Sequence, residues 1–107
     1  NEISSASTFI AILTFGIIGP ITEELTYRVG LYSLLRRKNK WLAILVTSLI
    51  FGLIHVASYL FTADFLNELL LLPVYVGCGF FLTITYEKYG FVGSVIAHIL
   101  VNITSLL

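Results

Sequence analysis

Four apolar runs alternate with short polar stretches along this chain, each run close to the roughly 20 residues that cross a hydrocarbon layer. The first is expected from about Thr8 to Leu35, and the second over residues 41–61, WLAILVTSLIFGLIHVASYLF. The third runs from about Leu69 to Tyr86 and the fourth from Phe91 to Leu107. Lipid admits only helices or closed barrels, and the strict alternation of a barrel strand is absent, so the pattern predicts helices. The expected fold is all-α, a polytopic membrane helix bundle of about four transmembrane helices, forming one domain over residues 1–107. The first run exceeds a single span and is interrupted at Gly19-Pro20, which predicts a tilt, a kink or a protruding end.

The polar stretches set an orientation. RRKNK (36–40) and EKYG (87–90) carry basic residues, whereas the loop around Asp64 and Glu68 carries none. Cytoplasmic loops concentrate Lys and Arg, so the RRKNK and EKYG side is expected to be cytoplasmic. Trp41, Tyr59, Tyr86 and Tyr89 fall near predicted helix ends, where interfacial aromatics belong. Composition agrees with an integral, multi-pass protein. Of 107 residues 58% are hydrophobic and 11% charged, against about a quarter charged in soluble domains, and mean hydropathy is +0.99. The formal net charge of zero argues against a nucleic-acid partner. The single cysteine, Cys78, excludes an internal disulfide and a thiolate cluster, and is expected to pack. No signal peptide is visible. The chain opens on asparagine, so a preceding segment is expected.

Against this apolar background a few ionisable residues stand out. GPITEELTYRVG (19–30) places Glu23, Glu24 and Arg28 within the first run. One charge at a helix centre costs roughly 2.5–3.5 kcal/mol on insertion, so three would cost roughly 8–10 kcal/mol before pairing. The second run contributes His55, and the fourth His98 and Asn102. At about 1.5 Å rise per residue, the glutamates, both histidines and Asn102 fall in one layer of the bilayer. Ser94, His98, Asn102 and Ser105 form one stripe on the fourth helix, and Ser48, Gly52, His55 and Tyr59 another on the second. Such stripes face a bundle interior or a wet cavity. The third run lacks carboxylate, histidine and basic side chains between Glu68 and Glu87. It is expected to pack, with Gly77 and Gly79 allowing close approach.

Adjacent helical residues point about 100° apart, so Glu23 and Glu24 are expected on different faces. Arg28, four residues after Glu24, is placed to pair with it and leave Glu23 free. A poorly solvated carboxylate makes a base near neutral pH. Glu23 with His55 is then expected to activate water, opposite His98 and Asn102 as donors to an oxyanion. No serine or cysteine is convincingly placed as a nucleophile: Ser94 is the possible one, and Cys78 sits on the helix that lacks chemistry.

EELTYR, FGLIH and HILVN match EExxxR, FxxxH and HxxxN, in the order and on the separate helices of the CPBP family. The chain thus resembles that family of CAAX-protease, bacteriocin-processing and self-immunity membrane endopeptidases, also called Abi proteins, from about Gly19 to Asn102. The resemblance implies a glutamate-type hydrolase without a metal cofactor. Glu23 and His55 would activate water, His98 and Asn102 would form the oxyanion hole, and Glu24 and Arg28 would support the motif. It also implies a peptide or membrane-protein substrate, prenylated in the eukaryotic relatives, a bacterial cell membrane as location, and further helices upstream. Three other readings compete. A zinc protease would use His55, His98 and a glutamate as ligands. A non-catalytic immunity or partner-binding protein would keep the fold alone. A proton or ion carrier would use the intramembrane Glu and His but gives Asn102 no role.

Overall fold

The computed structural model describes residues 2–106 along the backbone and residues 5–104 with side chains, so the Ser105 side chain of the predicted stripe lies outside the described residues. All the described regular structure is helical. Helix α1 covers residues 2–36, α2 is Lys40–Ala57, α3 is the short Phe65–Leu70, and α4 is Leu72–Leu106. Two of the expected spans, Ser5–Arg36 and Lys40–Ala57, are long and apolar enough on their own to cross a membrane.

The predicted interruption at Gly19-Pro20 is absent. Helix α1 runs through it with right-handed helical dihedrals at Ile18 and Gly19. Proline has no N–H, and its ring crowds the carbonyl four residues back. Here the preceding turn, Thr14–Ile18, is widened to a π turn, and the Gly19 N–H donates to Thr14 O. A second π segment, Leu25–Tyr32, follows Glu24. The widening has a geometric result. Gly16, Pro20, Glu24, Arg28 and Tyr32, every fourth residue, are all buried. On a pure α-helix of about 3.6 residues per turn, such a stripe would rotate by about 40° at each step. A π turn takes up extra residues, so alternating α and π turns hold the stripe on one side.

Helix α2 starts at Asn39, whose Oδ1 accepts from the Leu42 N–H at 3.0 Å; an Asn here satisfies a donor the helix leaves open. It ends at Ala57, four residues before the predicted end. Ser58 and Thr62 then turn their hydroxyls onto the carbonyls of His55 and Tyr59, favouring turns over helix. The expected EKYG loop is also corrected. Helix α4 continues through Glu87, Lys88 and Tyr89 and breaks only at Gly90, at φ 78° and ψ −169°. That backbone region is essentially restricted to glycine. The limbs 72–89 and 91–106 correspond to the expected third and fourth helices.

The bundle is apolar outside and polar inside. Phe9, Phe15, Trp41, Leu45, Phe61 and Leu70 are exposed, whereas Glu24, Arg28, Thr47, Ser48, Thr83, Ser94 and His98 are buried. Water would drive the reverse arrangement. This is an all-α membrane bundle. Its small apolar core, Tyr32, Ala43 and Ile44, packs with Leu35, Ile84 and Tyr86 at the RRKNK end. There Tyr32 donates to Glu87 Oε2 at 2.5 Å, and Arg36 reaches Glu87 Oε1 through Nε at 3.1 Å and Nη2 at 3.0 Å. Glu87, expected in a solvated loop, instead ties α4 to α1. Close approach of α2 and α4 rests on Gly79, beside Phe51 and Ser48, and on Gly52, beside Val76. Gly77, expected to share that role, faces open space.

Candidate active site

The period-four stripe of α1 delivers Glu24 and Arg28 to the centre of the bundle, both fully buried. Burying a charge is costly unless it is paired. The Arg28 guanidinium comes within 3.2 Å of Glu24 Oε2, donates from Nη2 to Gly79 O at 2.9 Å, and lies over the Phe51 ring at 5.1 Å. Phe51 and the Gly79 carbonyl thus hold the cation from α2 and α4. Glu24 Oε1, Arg28 Nε and Arg28 Nη1 remain without a hydrogen bond in the protein, so the 3.2 Å approach is an ion pair without hydrogen-bond alignment.

The second limb of α4 brings in His98, also buried. Its Nδ1 is 2.7 Å from Glu24 Oε2 and its Nε2 is 3.2 Å from Glu23 Oε2. One edge of the ring thus meets Glu24 and the other faces Glu23. The adjacent glutamates, expected on separate faces, therefore grip opposite edges of one imidazole. Their diverging directions are satisfied because the ring lies between them. Their surroundings still differ sharply. The Glu24 side chain is 0% exposed, whereas that of Glu23 is 42% exposed.

Glu23 opens onto a cavity of about 370 Å³, also lined by His55, His98, Asn102, Tyr75 and Cys78. A neighbouring cavity of about 210 Å³ shares Glu23, Phe51 and His55 in its wall. The structure thus gathers Glu23, His55, His98 and Asn102 around one space, but it pairs them differently from the sequence expectation. Glu23 contacts His98, not His55. The His55 ring stacks on Tyr75, with centroids 4.2 Å apart and planes at 32°. Asn102 Nδ2 donates to Phe15 O at 3.0 Å, tying the second limb of α4 to α1. Both nitrogens of His98 face carboxylates, so neither points freely at an oxyanion.

Ser94 is buried, donates to Phe91 O at 3.0 Å and is not in the cavity wall. That position gives no support to a serine nucleophile. Cys78, expected to pack, is part-buried and lines the cavity. Among the described residues, no group of three or more His, Cys, Asp or Glu side chains is arranged to hold a metal ion. The zinc reading accordingly has no ligand set here.

Two residues of the site escaped the sequence reading. Phe51 is the hub of the aromatic contacts, edge-on to Tyr27 at 5.5 Å and to His98 at 6.0 Å. It is the F of FGLIH, and its place one turn before His55 was the available signal. Tyr75 lies on the helix expected only to pack. A hydroxyl-bearing ring in the aliphatic stretch LLLLPVYV (69–76), at the depth of His55, marked it.

No curated protein and no solved structure matches the chain. A family model does, that of the type II CAAX prenyl endopeptidases, Rce1-like, over residues 5–104. Those residues carry all of EELTYR, FGLIH and HILVN, the segments whose side chains converge on the cavity. Matched over nearly its whole length, the chain belongs to the Rce1-like family of CAAX prenyl endopeptidases.

Proposed function

We propose that the chain is the catalytic core of a multi-pass membrane endopeptidase in which Glu23 activates water against a peptide carbonyl. One observation carries the reading. Glu23 is the half-exposed carboxylate of the cavity, held from behind by His98, whose other edge is fixed by the buried Glu24–Arg28 pair. Water in the cavity loses a proton to the Glu23 carboxylate as its oxygen bonds to the scissile carbonyl carbon. His55, on the same wall and with no hydrogen-bond partner on its ring among the described residues, orients that water. Collapse of the tetrahedral intermediate breaks the C–N bond, and the proton held by Glu23 passes to the leaving amine.

The developing oxyanion needs donors. Asn102 supplies its carboxamide from the cavity wall, and His98, carrying a hydrogen on each ring nitrogen between the two glutamates, offers its Nε2–H when Glu23 turns toward the water. The family name points to a prenylated CaaX-type tail as substrate. The apolar cavity walls, with Val74, Leu82 and Val101 among them, fit a greasy peptide approaching from the lipid. The RRKNK end would face the cytoplasm. A bacteriocin-processing or immunity role would use the same chemistry on another peptide.

The experiment is cleavage of a quenched farnesylated CaaX peptide by purified protein in proteoliposomes. Glu23→Ala and His55→Ala should each lose about 100-fold or more in kcat, the lower part of the range general-base catalysis contributes. Full activity of Glu23→Ala would remove the water-activation role. Cleavage that persists in strong chelator is expected from a carboxylate mechanism.

A further inference from the structure

Each other charged or polar member of the candidate set is fixed by an ion pair or hydrogen bond: Glu23 by His98, Glu24 by Arg28 and His98, and Asn102 by Phe15 O. Among the described residues, His55 alone in the set has no such partner on its ring. Its side chain is exposed. Yet an imidazole working opposite Glu23 must hold one orientation, because a misplacement of about 1 Å can cost about 100-fold in rate.

The aromatic ring packed closest to it is Tyr75, stacked at 4.2 Å; the next ring, Phe51, is at 6.2 Å. Tyr75 is itself held. Its hydroxyl donates to the Glu68 carboxylate on α3, the short helix between α2 and α4. A tyrosine that only fills space does not need an acid partner, and a carboxylate in an apolar setting is costly unless it is engaged. The chain has only six acidic residues, and one of them is committed to this hydroxyl. The aromatic contact also has a chemical advantage. A carboxylate orients an imidazole by taking up one of its nitrogens, as Glu23 and Glu24 do at His98. A ring face sets the plane and leaves both nitrogens for water or substrate.

We propose that Tyr75, tethered by Glu68, is the positioning residue that holds the His55 imidazole plane toward the cavity. The role rests on the reading of His55 as the partner of Glu23 given above. It assigns a positioning role to the first limb of α4, which also lines the cavity and holds Arg28 through the Gly79 carbonyl.

The test compares Tyr75→Phe, which keeps the ring face and loses the tether, with Tyr75→Leu, which loses both. Each is assayed on the farnesylated CaaX peptide, and its 13C-histidine ring signals are recorded in detergent, with His55 assigned through His55→Gln. Tyr75→Leu should lower kcat about 10- to 100-fold, with KM within about twofold of wild type. Tyr75→Phe should recover part of that loss and shift the His55 signal less than Tyr75→Leu. An unchanged kcat in Tyr75→Leu, a defect confined to KM, or an unmoved His55 signal would each overturn the positioning role. If Tyr75→Leu does not fold, wild-type kcat with an unmoved His55 signal in Tyr75→Phe overturns it equally. Glu23→Ala is measured alongside. If that variant still cleaves, the water-activation reading fails, and the positioning role is then judged on the His55 signal alone.

Discussion

Glu24 and His98, separated by 74 residues in the chain, meet in the buried centre with Oε2 2.7 Å from Nδ1. The contact joins α1 to the last limb of α4 and sets which edge of the imidazole is left for Glu23. It also makes Glu24 a bridge, since the same oxygen faces Arg28. The exposed glutamate has the better chemical access, while the buried one determines where that access points.

Removing the charge of Glu24 should therefore harm fold and activity together. Glu24→Ala leaves the fully buried Arg28 with the Gly79 carbonyl and the Phe51 face as its only described partners. Breaking one side of a buried ion pair typically destabilises by about 3–5 kcal/mol. Thermal unfolding in detergent should show a large drop for Glu24→Ala and a smaller one for Glu24→Gln, which keeps shape and hydrogen-bonding capacity. Arg28→Ala should match Glu24→Ala, and the double variant should be less damaging than the sum. Strict additivity would mean that the two residues act independently.

At the opposite end, Glu87 gives a pH signature. Its carboxyl is held below the usual value of 4.5, chiefly by the hydrogen bond from Tyr32 and then by those from Arg36. It lies beyond the expected end of the third span, where water reaches it. A carboxyl with a depressed folded-state pKa adds stability that is fully present above its unfolded pKa. That stability is lost as pH falls through the lower, folded value. The melting temperature should thus decline below about pH 4.5. Glu87→Gln should lower the plateau at neutral pH and flatten that part of the decline. Identical acid limbs in the two proteins would mean that the Tyr32–Glu87–Arg36 cluster does not hold α1 to α4.

How much of this was readable in the sequence varies with the physics of each element. The helices were plain because apolar runs of membrane length allow little else. The layer shared by Glu23, His55, His98 and Asn102 was also plain, because helical rise converts residue number into depth. The partners within that layer were not. Rise says nothing about which of two nearby imidazoles a carboxylate will take, and that choice follows from the packing of α1 against the second limb of α4. Pro20 misled for a related reason. The cost of a proline is real, but a π turn at Thr14–Ile18 absorbs it locally. The four-residue spacing of Gly16, Pro20, Glu24, Arg28 and Tyr32 held the clue, since only a widened helix keeps such a stripe buried. At the EKYG stretch the single Gly90 makes the whole break, so charge and tyrosine looked like loop where they are helix.

The close contact at Gly52 makes the last prediction. A Cβ there would fall 2.5 Å from Val76 Cγ2 and 3.1 Å from the Val76 backbone N. The first clash can be relieved by the side chain, but the second requires the helices to part. Gly52→Ala should thus destabilise by about 1–3 kcal/mol, the usual cost of overpacking. It should also lower cleavage, because His55 is one turn further along α2 and Tyr75 immediately precedes Val76. The separation that relieves Gly52 widens the His55–Tyr75 stack. Combining Gly52→Ala with Val76→Ala removes the methyl clash and leaves the backbone contact. Stability should recover in part, and activity less. Measured unfolding and kcat of the single and the double variant, against wild type, decide the matter. Full recovery of both would reduce the effect to one methyl group, while loss of activity with stability restored would tie the α2–α4 spacing to the site itself.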